Sequence, residues 1–429
     1  MTERNIGFAG MTHLGLNSAV AGADRGFDIV CFDANPLLVA ALNRGELPVV
    51  EPDLPELLEK NRRRVKFTAD ASDLANCDLV YVAPDVPTDD SGRSDLEHID
   101  TLIRQVDAVL RPDAVMVILS QVPPGFTRAR MRPGRLLHYQ VETLIFGRAM
   151  ERALFPERFI VGCAQPEQSL PPAFADFLAS FGCPILPMRY ESAELAKISI
   201  NMCLVASIGV ANTMAELCEQ TGADWSEIVP ALKLDRRIGP YSYLGPGLGI
   251  AGGNLERDLA TVLALAERHG TDAGIVSAWV ANSRHRKDWT WQVLDKLILG
   301  PQSDARIAVL GLAYKEDTHS TKNSPSLALL AHLSGRSVAV YDPVVSPAAA
   351  GIQFPAAASA MDAIQDADVV CIMTPWQEFK SLSPSDIVRR MRGRWLIDPY
   401  RVVSDKTAKA AGLWHVTLGV APEVPRISC

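Results

Sequence analysis

The stretch NIGFAGMTHLGLNSAVAGADRGFDIVCFD, residues 5–33, decides the fold of this chain. A short apolar run is followed by a glycine-containing turn, by residues with helical spacing, and by a second apolar run that ends at Asp33. This order is typical of the β-loop-α-β unit that binds dinucleotides. The expected glycines fall at positions 10, 12 and 15, but Thr12 replaces the middle one. Rossmann-like domains without a cofactor also carry such an imperfect pattern, so that interpretation stays open.

Asp33 predicts which dinucleotide this unit binds. A carboxylate at the end of the second strand accepts hydrogen bonds from the ribose diol and repels a 2′-phosphate. The sequence therefore favours NAD over NADP. Because the middle glycine normally lets the diphosphate approach the backbone, we expect Thr12 to weaken cofactor binding.

Strands and helices continue to alternate beyond this unit. Residues 77–84 and 114–120 are apolar runs, each preceded by a helical pattern, which predicts a parallel, doubly wound sheet. Ligands of such sheets bind beyond the carboxyl ends of the strands, where residues 85–95 and 120–127 lie.

The rest of the chain predicts a second α/β unit and a long helix. Residues 189–222 have apolar side chains at most inward helical positions, and a polar, turn-prone stretch at 299–306 precedes the second unit. We expect an α/β protein with two Rossmann-like, doubly wound parallel-sheet domains joined by a long central helix. The predicted domains are residues 1–186, 187–298 and 299–429.

Charge and composition exclude several classes of protein. The 429 residues carry a formal net charge of -8, which argues against a general binder of nucleic acid or membrane surfaces. The eight cysteines show no metal-binding spacing, so we expect no metal site, reduced thiols and a cytoplasmic protein. We see no signal-peptide pattern and no run of about 18 apolar residues that would predict a membrane span.

A glycine-rich stretch at residues 247–258, GLGIAGGNLERD, leads directly into a helical pattern. Bare backbone N–H groups at a helix N-terminus suit an anionic or oxygen-rich ligand. A glycine-rich connector between helices fits the same letters, and the stretch taken alone favours that interpretation.

The order and spacing of many segments resemble the UDP-glucose/GDP-mannose dehydrogenase family. The resemblance spans almost the whole chain and implies an NAD-dependent oxidoreductase that acts on a nucleotide sugar, with a homodimer built on the central helix. It assigns NAD to the first predicted domain and the nucleotide sugar to the third. The matching segments are residues 32–58, 86–96, 120–127, 156–162, 193–201, 235–239, 246–258, 307–315, 324–330, 341–345 and 374–382.

The resemblance also implies roles for individual residues. Lys197 and Asn201, four apart on one helix face, match the Lys and Asn that stabilise the oxygen of the reacting alcohol. Asp258 matches an acid that we expect to act as base, and Glu142 matches the Glu near the hydrolytic water. A solvated Lys197 is the alternative.

Two further sets of residues follow from these patterns. The predicted cofactor-binding residues are Gly10, Thr12, Leu14, Gly15, Asp33, Pro84, Gln121 and Lys315. The predicted substrate-binding residues are Arg237, Gly249, Gly252, Gly253, Tyr314 and Lys322. In some relatives the residue matching Arg237 reaches the substrate of the neighbouring subunit, although a solvated Arg fits the same position. Lys322 stands where the family has Arg.

The chain departs from the family at the nucleophile. Ungapped alignment puts Asn254 at the position of the Cys that captures the sugar aldehyde, and no Cys lies within thirty residues of it. Gly253 stands at the neighbouring Ser position, Arg257 replaces a Lys, and Gln121 replaces the Thr that helps to hold the hydrolytic water. An amide is not nucleophilic enough to form the adduct that the second hydride transfer requires.

Three functions remain open at this point. The leading hypothesis is an NAD-dependent oxidoreductase limited to a two-electron or redox-neutral step on a nucleotide sugar. The second is a four-electron nucleotide-sugar 6-dehydrogenase that works without a covalent intermediate. The third is a non-catalytic nucleotide-sugar-binding paralogue, which the altered Thr12 and Asn254 favour and the retained Lys197, Asn201 and Asp258 disfavour.

Overall fold

The computed structural model describes residues 4–87, 89 and 94–423. Residues 88 and 90–93, part of the predicted ligand-binding segment 85–95, lie outside the described residues. The chain divides into two compact units, residues 1–200 and 201–429. The three-domain boundaries inferred from the sequence stay a prediction.

The first unit is built on one sheet and the helices that flank it. Its strands are β1 (Asn5–Ala9), β2 (Asp28–Phe32), β3 (Val65–Thr68), β4 (Leu79–Val82), β5 (Val115–Ile118), β6 (Leu136–Gln140), β7 (Phe159–Cys163) and β8 (Ile185–Arg189). Its helices are α1 (His13–Asp24), α2 (Pro36–Asn43), α3 (Leu54–Lys60), α4 (Glu97–Val109), α5 (Ala149–Leu154) and α6 (Pro172–Ala179). The short 3₁₀ turns are Arg62–Arg64, Ala71–Asn76 and Arg128–Arg130.

The strand order of this sheet is β3-β2-β1-β4-β5-β6-β7-β8. Because β1 pairs in parallel with both β2 and β4, the order reverses beside β1, and doubly wound sheets bind ligands at such a switch point. The predicted doubly wound α/β fold is confirmed. One pair differs from a fully parallel sheet, since β6 and β7 run antiparallel through Tyr139 and Gly162.

Helices cover both faces of the central strands. Leu79 and Tyr81 of β4 belong to an apolar cluster with α1 and α6, whereas Val80 and Val82 belong to a second cluster with α4. Alternate side chains of a strand point to opposite faces, so β4 must be apolar at every position. This burial explains why the strand is a continuous apolar run in the sequence.

The long helix expected over residues 189–222 is confirmed as α7 (Tyr190–Thr221), with 32 residues. At 1.5 Å per residue it is about 48 Å long. By length and composition alone, α7 is the one helix among the described residues that could cross a membrane, a test that core helices of soluble proteins also pass.

The second unit contains a smaller parallel sheet. Its strands are β9 (Ile307–Leu310), β10 (Val338–Tyr341), β11 (Val369–Ile372), β12 (Trp395–Ile397) and β13 (Trp414–Val416). Their order is β10-β9-β11-β12-β13. Its helices are α8 (Trp225–Leu234), α9 (Asn254–His269), α10 (Gly274–Lys287), α11 (Trp289–Leu294, continued by a π-helical turn over Asp295–Leu299), α12 (Pro325–His332), α13 (Ala360–Ile364), α14 (Gln377–Lys380), α15 (Pro384–Arg390) and α16 (Asp405–Ala410).

Candidate active site

The turn between β1 and α1 has the form that a dinucleotide requires. Gly10 has a φ of +94°, and a Cβ there would lie 2.8 Å from the Pro84 backbone nitrogen. At Gly15 a Cβ would lie 1.9 Å from the Gly10 carbonyl oxygen, so only glycine lets α1 pack this closely on the turn. This close packing aims the N-terminus of α1 at the carboxyl edge of the sheet, and the residues therefore fit a dinucleotide diphosphate.

Asp33 lies at the end of β2, beside the same turn. Its Oδ2 accepts a hydrogen bond from the Met11 backbone N–H at 2.8 Å, and its Oδ1 accepts one from the Asn35 N–H at 2.9 Å. The carboxylate is half-buried and held in place by these two donors. Its remaining lone pairs are the acceptors that a ribose diol would use.

Thr12 is the N-cap residue of α1, but its side chain does not cap the helix. Instead, its hydroxyl accepts a hydrogen bond from the Asp85 backbone N–H at 2.8 Å. Leu14, the second helical residue, is buried with the apolar cluster beneath the turn. The Thr12 side chain is therefore held toward the segment that follows β4.

The segments after β4 and β5 are joined by a buried contact. The Ser120 hydroxyl donates a hydrogen bond to the Pro84 carbonyl oxygen. Gln121, the next residue, is half-buried. Pro84 and Gln121, both predicted to bind the cofactor, thus follow the adjacent parallel strands β4 and β5, at the edge where such sheets bind ligands.

Lys197 forms an ion pair with Glu142 in the first unit. The Nζ of Lys197 lies 2.8 Å from Oε1 of Glu142, and the side chains are 12% and 18% exposed. Glu142 also accepts a hydrogen bond from the Leu144 backbone N–H at 3.0 Å. The contact holds the Lys197 side chain in place rather than leaving it in solvent, although 55 positions separate the two residues in the sequence.

Asp258 is the centre of a second polar cluster, within the second unit. The Asn201 side-chain amide donates to Asp258 Oδ2 at 2.5 Å, and the Arg257 Nε lies 3.4 Å from Oδ1. Asp258 is 1% exposed and Arg257 9%. A buried carboxylate needs such partners, because desolvating an unpaired charge is very costly.

The glycine-rich loop before α9 follows a path that its glycines make possible. A Cβ on Gly249 would lie 2.3 Å from the Ser283 carbonyl oxygen, and one on Gly252 would lie 2.4 Å from the Tyr314 ring. Both residues have positive φ, at +76° and +89°. The loop therefore passes close to α10 and to Tyr314, as a side chain at either position would not permit.

The loop ends at Asn254, the first residue of α9. Gly253, with a φ of +96°, precedes it and packs against Lys322, whose Cδ lies 3.1 Å from the place of a Gly253 Cβ. The Gly252 N–H donates to the Lys322 carbonyl oxygen at 3.1 Å. Asn254 is exposed at the start of the helix. Its side chain is thus open to a ligand, and the Lys322 Nζ lies 3.4 Å from the place of a Gly253 Cβ, one residue before Asn254.

Tyr314 and Lys315 follow β9 in the same unit. The Lys315 Nζ lies 5.8 Å from the centre of the Tyr314 ring, within range of a cation–π contact. Burial raises the pKa of Tyr314, so its phenol stays protonated near neutrality. Lys315, predicted to bind the cofactor, thus lies next to a residue predicted to bind the substrate.

Arg237, a predicted site residue, has a side chain that is 88% exposed. It pairs with Asp235 two residues earlier, with Nη2 2.7 Å from Oδ2. An ion pair this exposed contributes little to stability. Its role toward a neighbouring subunit stays a prediction.

The buried thiols of Cys77 and Cys163 do not have the properties of a catalytic nucleophile. The seven cysteines within the described residues are free. Burial raises the pKa of Cys77 to about 12 and that of Cys163 to about 11, so neither forms a thiolate near neutral pH. Within the same residues, no group of three His, Cys, Asp or Glu side chains is arranged to hold a metal ion.

Sequence reasoning missed three contributors to these clusters. Arg257 was noted only as a replacement for Lys, and its contact with Asp258 was not foreseen. Ser283, which supports the glycine loop, gave no signal. Asp85, whose N–H reaches Thr12, lies in the segment 85–95 that was predicted to bind a ligand, but its contact with Thr12 was not predicted.

Three family models cover most of the chain. The NAD binding domain of the UDP-glucose/GDP-mannose dehydrogenase family matches residues 4–174, the central domain matches residues 191–284, and the UDP binding domain matches residues 308–405.

Individual proteins give the same assignment. The chain is 30% identical over 417 residues to a UDP-glucose 6-dehydrogenase of Pseudomonas aeruginosa, with 91% of each chain covered. A UDP-glucose dehydrogenase structure from Pyrobaculum islandicum superimposes with a TM-score of 0.83 at 26% identity, covering 97% of this chain and 98% of the other. A UDP-D-ManNAc dehydrogenase structure from Pyrococcus horikoshii gives 0.82 at 25%, covering 97% and 99%.

Proposed function

Because the chain belongs to the UDP-glucose/GDP-mannose dehydrogenase family of NAD-dependent oxidoreductases, we propose that it oxidises a nucleotide sugar by two electrons or converts it without net oxidation. The observation that carries this proposal is Asn254 at the start of α9, where the family nucleophile is expected. An amide does not form the covalent adduct from which a second hydride would leave. The reaction therefore ends at an aldehyde or ketone, or returns the hydride to the sugar.

Two groups of residues support the first step. Lys197, paired with Glu142, would stabilise the oxygen of an alcohol that loses its proton. Asn201 and Asp258 are linked by a short hydrogen bond, and Asp258 takes the proton directly or through a water. NAD supplies the acceptor for the hydride when it is bound.

The nucleotide sugar is assigned to the second unit. The glycine loop before α9 offers backbone N–H groups, while Tyr314 and Lys322 line it with an aromatic ring and a cation. Such a surface suits a phosphate-bearing ligand. The names of the similar proteins give UDP-glucose or UDP-D-ManNAc as the substrate. Experiment has to decide which nucleotide sugar this chain uses.

The test is to incubate the pure protein with NAD and a panel of nucleotide sugars, identify the products by mass and count NADH per sugar consumed. We expect at most one NADH per sugar and no enzyme-bound sugar ester. Two NADH and a uronic acid would contradict the proposal.

That contrary result would support the second candidate, a complete nucleotide-sugar 6-dehydrogenase. The observation in its favour is the name of the 30% identical relative, a UDP-glucose 6-dehydrogenase. In this chain, four-electron oxidation would require the hydrate of the aldehyde, formed with water, to take the place of the thiol adduct. A protein that binds the nucleotide sugar without turnover would instead be the non-catalytic paralogue.

We also propose a cytoplasmic homodimer. On the part of α7 in the second unit, Val210, Met214 and Leu217 are 55%, 40% and 51% exposed. These residues are three or four apart and form one apolar stripe, which a second copy of the chain would cover. Light scattering at micromolar concentration should give twice the chain mass of 46.5 kDa, and a monomer would contradict the dimer.

A further inference from the structure

Asp342 is a buried residue directly after β10, 9% exposed, at the place in the second sheet that Asp33 has in the first. A carboxylate has about four lone-pair positions, and N–H donors of the second unit fill those of Asp342. The donors, at 2.6–3.1 Å, are the backbone N–H groups of Leu312, Ala313, Val344 and Val345 and the indole N–H of Trp376. Asp33, by contrast, accepts the N–H groups of Met11 and Asn35.

These donors lie on both sides of the point where the strand order of the second sheet reverses. β9 pairs in parallel with both β10 and β11, so the order reverses beside β9, and doubly wound sheets bind ligands in such a crevice. Leu312 and Ala313 follow β9, whereas Trp376 follows β11. Asp342 therefore ties together the two segments that border the crevice.

The turn after β9 is also held from its other side. Gly311 has a φ of +99°, and a Cβ there would lie 2.4 Å from the hydroxyl oxygen of Thr374. That hydroxyl donates to the Ala313 carbonyl oxygen at 2.6 Å, and the Ser324 hydroxyl donates to the Leu312 carbonyl oxygen at 2.8 Å. Leu312 and Ala313 thus have both their N–H and their C=O groups bonded, and Asp342 is the acceptor for both N–H groups.

Tyr314 and Lys315 come directly after this turn, so the turn sets the direction of both. The Tyr314 ring packs on the glycine loop, since a Cβ on Gly252 would lie 2.4 Å from it. The Lys315 Nζ lies 5.8 Å from the centre of the same ring. Both residues belong to the segment 308–405 that matches the UDP binding domain of the family. A shift of the turn therefore displaces an aromatic ring and a cation that suit a nucleoside diphosphate.

We propose that Asp342 is a positioning residue for the nucleotide of the sugar substrate, which fixes the turn before Tyr314 and Lys315 without contacting the ribose. The proposal rests on the assignment of the nucleotide sugar to the second unit, and it holds whichever product the enzyme forms. Because its acceptor positions are filled, Asp342 cannot also accept the ribose diol, which is the role predicted for Asp33.

The experiment is calorimetric titration of UDP, of 2′,3′-dideoxy-UDP and of NAD into the full chain and into Asp342→Asn. Asparagine has nearly the same shape, but its NH₂ group turns a donor toward N–H groups that need an acceptor. UDP affinity should fall about tenfold, which corresponds to one hydrogen bond. The dideoxy analogue should lose the same factor, because a positioning residue does not touch the hydroxyls that the analogue lacks. NAD affinity should not change.

Asp368→Asn is the matched control for a loss of stability. Asp368 is 6% exposed, accepts the Arg306 N–H at 2.8 Å and pairs with Arg392. It lies directly before β11, at the amino edge of the same sheet, whereas Asp342 lies at the carboxyl edge. The control should lower the melting temperature, as Asp342→Asn does, and leave UDP affinity unchanged.

Trp376→Phe keeps the Asp342 carboxylate and removes one of its donors, so it tests the same contact if Asp342→Asn does not fold. It should weaken UDP and the dideoxy analogue alike, by about two- to threefold. Unchanged UDP affinity in folded Asp342→Asn, or in Trp376→Phe where that variant alone folds, would overturn the positioning role.

Two other results would overturn it as well. A loss for UDP without a loss for the dideoxy analogue would make Asp342 a direct ribose contact, and an equal loss in Asp368→Asn would make the effect one of general stability. Failure of the unmodified chain to bind UDP is a distinct result, because it would contradict the nucleotide-sugar site itself and the positioning role together with it.

Discussion

Replacement of Lys197 by methionine tests the proposed oxyanion contact most directly. Methionine keeps an unbranched apolar stem but removes the ammonium, which lies 2.8 Å from Glu142. One preorganised contact to a developing oxyanion is worth roughly 3–4 kcal/mol, so kcat should fall by about two to three orders of magnitude. KM should change much less, because the contact strengthens only in the transition state.

The same replacement has a separate and smaller effect on stability. Glu142 is 18% exposed and loses its charged partner, so the free energy of unfolding should fall by about 1–3 kcal/mol. Lys60→Met is the matched control. Lys60 makes an ion pair of similar length, 2.7 Å, with Asp24, but it is 65% exposed. Its loss should cost at most about 1 kcal/mol and leave kcat unchanged.

The assay is the initial rate of NADH formation at saturating NAD and nucleotide sugar, with thermal unfolding measured on the same samples. A folded Lys197→Met protein that kept kcat within about fivefold of the unmodified enzyme would refute the oxyanion role, since that loss is under 1 kcal/mol of barrier. A fall in stability without a fall in kcat would mean that the pair with Glu142 is structural.

Three further outcomes are expected. Asp33→Ser should weaken NAD binding by about tenfold and narrow the preference over NADP in cofactor titrations, because a ribose acceptor and a charge that repels the 2′-phosphate are both lost. Burial lowers the pKa of His138 from 6.5 to about 4. The free energy of unfolding should therefore decrease by at most about 3 kcal/mol as the pH is lowered from 6.5 to 4, and an acid titration of His138→Phe should show a smaller decrease. Asn254→Cys should yield a covalent sugar adduct detectable by intact mass, and its absence would mean that the position is not aligned with the reacting carbon.

The parts of the fold that depend on local spacing could be predicted from the sequence. The β1-α1-β2 unit requires only a short apolar run, a glycine turn and helical periodicity, and all three lie within residues 5–33. The same is true of α7, whose apolar period is continuous over 32 residues. The antiparallel pairing of β6 with β7 could not be predicted, because strand direction in a sheet depends on how the chain between the two strands returns.

The site shows the same limit. The i, i+4 spacing of Lys197 and Asn201 is visible in the sequence, whereas the partner of each is not. Glu142 lies 55 residues from Lys197, and Asp258 lies 57 residues from Asn201. Asp85 shows the limit most clearly, because its backbone N–H reaches the Thr12 hydroxyl only where two segments meet in the folded sheet.

The burial of Asp258 bears on whether the protein is an enzyme or only a binding protein. A carboxylate with 1% exposure, an adjacent buried Arg257 and an amide partner in Asn201 form a cluster that is costly to desolvate. Apolar residues of similar volume would often give equal or greater stability in such a place. The nucleotide-sugar binding proposed for the glycine loop and Lys322 would need donors and cations there, but it would not require a buried acid on α9. Proton removal does require one, and for this reason the geometry around Asp258 favours a chemical step over binding alone.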